Sequence, residues 1–307
     1  MEHVDLAELN DRFAIAEQLS FVAGPGELPV AEVRNTHATA TIALQGGQVL
    51  AFQPHGHVPV LWLSQHSYYA AGKAIRGGIP VCWPWFGPHP SDAGLPAHGF
   101  VRTAVWDVVG SEVVAEGATQ LRLALTDNQH TLSLWPHAFR LELVITVGAV
   151  LQVELAVHNP GTQVFSYGGA LHSYYAVSNI GNVQILGLEE RSYIDKLDLA
   201  QLKRQAGPII IDQETDRIYV DTTDQCVVDD GGLRRSIVIA KAGSRSTVVW
   251  NPWIDKAQRM ADFGDDEYRS MVCVETANAA DDTVRVAPGA VHRLGTTISV
   301  MPVPVRA

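Results

Sequence analysis

Phe139-Arg140-Leu141-Glu142-Leu143-Val144-Ile145-Thr146-Val147, a short break at Gly148-Ala149, and then Leu151-Gln152-Val153-Glu154-Leu155-Ala156-Val157 decide the architecture. Apolar side chains recur at every second position in both runs, and a period of two sends alternate side chains to opposite faces of a strand. Each run therefore has one face for a core and one for water, as half-buried antiparallel strands do. Leu121, Leu123 and Leu125 repeat the pattern against Arg122, Ala124 and Thr126. Further strands are expected at 40–44, 58–63, 183–188, 236–240, 247–250, 271–275 and 297–300, and Asp229-Asp230-Gly231-Gly232 reads as a hairpin turn. Regular alternation of strand and helix is missing, so a doubly wound sheet is excluded and a large all-β antiparallel sandwich is expected. One helix precedes it. Asp5 and Glu8 have capping-box spacing, and Leu6, Leu9 and Phe13 fall on one helical face.

The chain has 307 residues and no Ser/Gly linker, charge block or internal repeat, so 1–307 is expected to be a single domain. A formal net charge of -11 argues against nucleic acid and anionic membrane as partners. It does not forbid a phosphorylated ligand, because charges are screened over about 8 Å at physiological salt and local arginines can set the field inside a pocket. Cys82, Cys226 and Cys273 are odd in number and lack CxxC spacing, so reduced thiols are the simplest account. The opening residues carry no basic, apolar leader and no later run reaches the length of a membrane span, which leads to the expectation of a soluble cytoplasmic protein, and a monomer.

The richest chemistry lies in Ile75-Arg76-Gly77-Gly78-Ile79-Pro80-Val81-Cys82-Trp83-Pro84-Trp85-Phe86-Gly87 and Pro96-Ala97-His98-Gly99-Phe100-Val101-Arg102. Glycines let backbone approach a ligand, and guanidinium groups donate paired hydrogen bonds to phosphate or carboxylate. Taken singly, the glycines also read as turns, the aromatics as core and the arginines as solvated surface. Two further segments could supply acid/base chemistry. Glu275 ends the apolar run Met271-Val272-Cys273-Val274, where burial would raise its pKa and make it a base, unless it only marks where the strand meets solvent. His172 sits in Gly168-Gly169-Ala170-Leu171-His172-Ser173-Tyr174-Tyr175, roomy enough for a ligand, although a histidine beside aromatics can equally be a satisfied core residue.

Together these stretches resemble the glucose-6-phosphate 1-epimerases, the hexose-6-phosphate mutarotase branch of the aldose 1-epimerase superfamily. Arg-Gly-Gly-Ile-Pro, Pro-x-Phe-Gly, His-Gly-Phe-x-Arg, Leu-His-x-Tyr and Cys-Val-Glu-Thr-Ala carry the resemblance, as do Gln213 to Tyr219 and Val249 to Trp253. It runs from about residue 35 to the C-terminus. The resemblance implies a galactose-mutarotase-like supersandwich with sugar in a cleft across one sheet. It implies Glu275 as catalytic base and His172 as the acid that protonates the ring oxygen. It further implies substrate contacts from His98, the anion-binding Arg76 and Arg102, and Asp195. Ala97 stands where some members carry glutamine.

The implied reaction is the interconversion of α and β anomers of hexose 6-phosphates, most plainly glucose 6-phosphate, by ring opening and reclosure. That chemistry needs a base and an acid, and the expectation is no cofactor and no metal. His55-Gly56-His57 lacks a third ligand nearby in sequence, Asp262 to Glu267 lacks calcium-loop spacing, and no P-loop or Rossmann fingerprint is present. Two rivals remain, an aldose 1-epimerase acting on unphosphorylated sugar and a noncatalytic sugar-phosphate binder.

Overall fold

A computed structural model describes residues 4–302, and the expected alternation becomes sheet. Arg140–Val147 and Leu151–His158 pair antiparallel within an eight-stranded sheet that runs, edge to edge, through Val183–Leu186, Cys226–Asp230, Arg235–Ala242, Val291–Pro302, Leu151–His158, Arg140–Val147, Thr119–Thr126 and Asp107–Val113. Its inward side chains, Leu141, Leu143, Ile145, Leu151, Val153 and Leu155, are all buried. A four-stranded sheet spans Leu19–Ala23 to Gln48–Pro54. A further eight-stranded sheet carries the cavity described below, with Gln201–Arg204, Ser192–Asp195, Thr215–Tyr219, Ser246–Asn251, Met271–Asn278, Gly169–Leu171 and Val81–Cys82 in lateral order and Tyr174–Ala176 also on Met271–Asn278. One hydrophobic cluster joins the sheets, from Phe52 through Leu143 and Leu155 to Tyr219, Val249 and Val274.

The helix occupies Leu6–Phe13, and the Asp5 side chain accepts from the backbone N–H groups of Ala7 and Glu8, closing its first turn. One expected strand does not form. Residues 58–63 make isolated bridges, Leu61 to Tyr175 and Leu63 to Gly77, and one hydrogen bond from the Val60 N–H to the Phe52 carbonyl at 3.0 Å, without a continuous ladder. Val58 and Pro59 instead give their carbonyls to the Arg235 guanidinium at 2.9 Å each, a side-chain contact in place of a strand ladder. The turn after Asp230 is a four-residue loop, with Asp230 Oδ1 accepting from the N–H groups of Gly232 and Leu233.

The glycine-rich stretch is anchored by Trp83, which is fully buried and meets Phe139 edge-on at 4.7 Å and Trp135 at 4.8 Å. An aromatic side chain buried so completely contributes about 1.5–3 kcal/mol. The first residue of the fold-deciding stretch thereby fixes the loop that shapes the cavity.

Candidate active site

Register across the cavity sheet decides which side chains meet. Ile194 lies opposite Ile218, Ile218 opposite Val248, and Val248 opposite Glu275. One row further along, Asp216 faces Trp250 and Trp250 faces Cys273. The Lys196 N–H extends that second row by donating to the Asp216 carbonyl at 2.9 Å. Met271–Asn278 is buried along its whole length, so Glu275 is only 1% exposed yet lies on the face that lines a cavity of about 750 Å³.

His172 stands between the short strands Gly169–Leu171 and Tyr174–Ala176. Its N–H donates to the Pro80 carbonyl and that of Tyr174 to the Gly78 carbonyl, both at 2.9 Å, so the glycine-rich stretch holds this turn in place. The imidazole stacks on Tyr174 with ring centres 4.7 Å apart and planes 7° from parallel. Its Nδ1 lies 3.3 Å from Glu275 Oε1 without the alignment of a hydrogen bond. Nδ1 of His172 and Oε2 of Glu275 are both buried without a partner, so each keeps its hydrogen-bonding capacity for a ligand.

Arg76 enters the cavity from a turn that only glycine permits. At Gly78 φ is +63°, and an added Cβ would lie 2.1 Å from the Val49 carbonyl oxygen. The guanidinium is already engaged. Its Nε donates to Asp262 Oδ2 at 3.1 Å, its Nη2 to both carboxylate oxygens at 3.0 and 3.2 Å, and its Nη1 to the Tyr174 hydroxyl at 3.1 Å. His98 also lines the cavity, and its Nδ1 accepts from the Gly87 N–H at 3.3 Å. In the neutral ring that assigns the proton to Nε2 and makes the other nitrogen a donor. Arg102 lies outside the cavity lining and donates to the Ala97 carbonyl at 2.9 Å.

Burial dominates the electrostatics. It pushes His98 down to about 3, helped by the positive charges of Arg102 and Arg76. His172 is driven well below the usual histidine range by burial and then by His98, Arg76 and Arg102. Although Arg102 does not line the cavity, its charge thus reaches both histidines. Glu275 is held well above the usual carboxylate range by burial and by the charge of Asp216. Burial therefore disfavours the charged form of both members of the His172–Glu275 pair.

Asp195 does not line this cavity. Along Ser192–Asp195 the side chains alternate, and the cavity receives Ile194 and then Lys196, whereas Asp195 lies opposite Arg217 and takes the Lys203 ammonium at 2.7 Å. The Lys203 bond holds its carboxyl low despite desolvation. The carboxylate that register does bring to the cavity is Asp216, whose pKa burial raises. Asp216 and Trp250 lie in stretches that carry the family resemblance but, like Lys196 and Lys256, have no site role assigned from the sequence, although Asp216 and Ile218 show the alternation of a strand face. Lys256 Nζ lies 5.8 Å from the Trp250 ring centre and 3.1 Å from Glu214. His55 gives Nε2 to the Asn35 carbonyl at 2.9 Å.

The arrangement offers a carboxyl and an imidazole in contact, a neutral histidine donor, a second carboxylate, an aliphatic floor and nearby cations. Comparison with known proteins identifies relatives of this chain. The profile of the aldose 1-epimerase family matches residues 29–299. An Escherichia coli protein provisionally named glucose-6-phosphate 1-epimerase is 38% identical over 83% of this chain and 85% of its own length. A Salmonella typhimurium crystal structure, provisionally named a mutarotase, superposes with a TM-score of 0.88 at 33% identity, covering 94% of this chain and 96% of its own. A galactose mutarotase-like protein from Clostridium acetobutylicum shares the fold, with a TM-score of 0.72 at 12% identity over 92% of this chain and 98% of its own.

Proposed function

The chain belongs to the aldose 1-epimerase family, and from that premise we propose that it interconverts the α and β anomers of hexose 6-phosphates, glucose 6-phosphate first among them. The contact between His172 Nδ1 and Glu275 Oε1 at 3.3 Å is the observation that carries this reading. Mutarotation removes the proton from the anomeric hydroxyl and places one on the ring oxygen. Reclosure after rotation about C1–C2 returns both. Two groups holding one proton between them complete this cycle without a third, and each contributes about 10²–10⁴-fold.

In our reading Glu275 takes the hydroxyl proton and His172 protonates the ring oxygen, so the proton must first pass from the carboxyl to the imidazole. The substrate favours that transfer. A phosphate in the cavity beside Arg76 offsets the positive field of Arg76 and of the more distant Arg102 that disfavours the imidazolium, and sugar hydroxyls return solvation to the Glu275 anion. Phosphate then activates as well as anchors. His98 Nε2 donates to a sugar oxygen, and Asp216 accepts from a hydroxyl.

A second reading draws on the pairing of Arg76 with Asp262, which leaves the one arginine in the cavity lining already neutralised. That favours an aldose 1-epimerase for unphosphorylated sugar. Exchange NMR of the anomers of glucose 6-phosphate and of glucose, with and without protein, decides between them. Faster exchange of the phosphate ester alone supports our reading. Equal acceleration of both transfers it to the second, and binding without acceleration removes both.

A further inference from the structure

We propose that His172 Nδ1, Cys273 Sγ and a carboxylate oxygen of Glu275 form a site for a thiophilic divalent cation, zinc foremost, whose occupancy switches the enzyme off. One imidazole nitrogen, the thiol sulfur and one carboxylate oxygen of these residues lie within 4.8 Å of one another. The 3.3 Å between Nδ1 and Oε1 is about the spacing of two donors that share a tetrahedral zinc at roughly 2.0–2.2 Å each. Strand geometry supplies the rest. Cys273 and Glu275 are two residues apart on one strand, so they share a face, and both lie across from the Ser246–Asn251 strand. His172 arrives from the neighbouring turn.

All three residues are buried, Cys273 is a free thiol, and Nδ1 of His172 and Oε2 of Glu275 have no hydrogen-bond partner. A nitrogen, sulfur and oxygen donor set, two of whose residues line the cavity, suits zinc, whereas magnesium and calcium prefer oxygen alone. On binding, the thiol and carboxyl protons leave to solvent, and no electron is transferred. The ion then holds the nitrogen and oxygen lone pairs that would move the substrate's protons. The inhibitory half of the proposal rests on the acid/base reading above; the binding half does not.

The test uses the full chain freed of metal by chelation, with zinc and cobalt(II) as probes. Dialysis should find one zinc per chain, and cobalt should give a thiolate charge-transfer band with the visible absorption of a tetrahedral site. Cys273→Ser should abolish the charge-transfer band and weaken zinc binding by about tenfold or more, since even outer-shell changes cost roughly 10–100-fold. Its metal-free anomerase activity should match the parent's, with inhibition requiring about ten times more zinc or beyond. Cys273→Ala serves if the serine variant folds poorly. Equal zinc sensitivity of parent and variant, no charge-transfer band, or no stoichiometric zinc overturns the proposal. If the metal-free protein never accelerates anomerisation while the band and its loss persist, the catalytic reading falls and the metal site stands.

Discussion

Asp262 grips Arg76 through three hydrogen bonds of 3.0–3.2 Å, with side chains only 17% and 25% exposed. An arginine so engaged presents little net charge to an incoming phosphate. Asp262→Asn keeps the shape and removes the competing anion, so it should lower KM for glucose 6-phosphate by several-fold and leave glucose kinetics nearly unchanged. A KM for the phosphate ester that does not move would place the phosphate away from Arg76. Arg76→Lys should keep the charge but lose the fork, reducing kcat/KM for the phosphate ester by roughly tenfold, the equivalent of about 1.4 kcal/mol.

If phosphate relieves the charge that disfavours protonated His172, its effect need not require a covalent link to the sugar. Inorganic phosphate added with glucose should accelerate anomerisation of the free sugar above the buffer-catalysed rate, and the gain should vanish in Arg102→Ala. The comparison is read by exchange NMR at fixed ionic strength. No gain at any phosphate concentration would reduce the arginines to anchors.

The pair also sets a pH dependence. Protonation of His172 is held well below its ordinary value of 6.5 by burial and then by positive neighbours. The acid limb of kcat/KM, which reports the free enzyme, should therefore fall below pH 6.5. His98, at about 3, should add no limb in the working range. An acid-side midpoint at or above 6.5 would contradict the buried, neutral imidazole.

Glu275→Gln should lower kcat by about 10²–10⁴-fold and at the same time raise stability at alkaline pH. The folded-state pKa of Glu275 is raised above its unfolded value, so the contribution of its proton to stability is complete below about 4.5 and is lost as pH rises through the folded value. Glutamine has no proton to lose. The difference in Tm between variant and parent should grow with pH from about 4.5 upward, and a constant difference would mean that the carboxyl titrates normally.

Asp216→Asn and Asp195→Asn form a matched pair. The first should impair sugar binding or turnover by tenfold or more, since Asp216 lines the cavity. The second should alter only a partly exposed pair with Lys203 and leave sugar binding and turnover nearly unchanged. Reversed effects would put the sugar on the other face of the sheet.

These two aspartates show where the sequence was readable. Period-two strands needed only local pattern, so most of the backing sheet was legible from Leu121 to Val157 and again in the later runs. His172 and Glu275 were legible because each lies in a distinctive motif, and the structure brings them into contact. Asp195 also lies in a motif, Arg191 to Lys196, but whether a strand residue faces ligand depends on the register of its neighbours, and a shift of one position exchanges the faces. The engagement of Arg76 was hidden for a similar reason, since Asp262 is remote in the chain and no local pattern couples them. Residues 58–63 looked like a strand because their apolar content did not reveal that Arg235 would take the carbonyls of Val58 and Pro59.

The aliphatic row of Ile194, Ile218 and Val248 beside Glu275 has a bearing on substrate range. Hydrocarbon neither donates nor accepts, so it registers the bulk and flatness of a sugar ring and is blind to whether a hydroxyl is axial or equatorial. On the proposed function, discrimination between epimers would fall to His98, Asp216 and Arg76, the polar side chains that line the same cavity. On that same function, such a layout would admit several hexose phosphates on one unchanging floor, and exchanging rim residues, with the floor left intact, would be the route by which preference among them drifts.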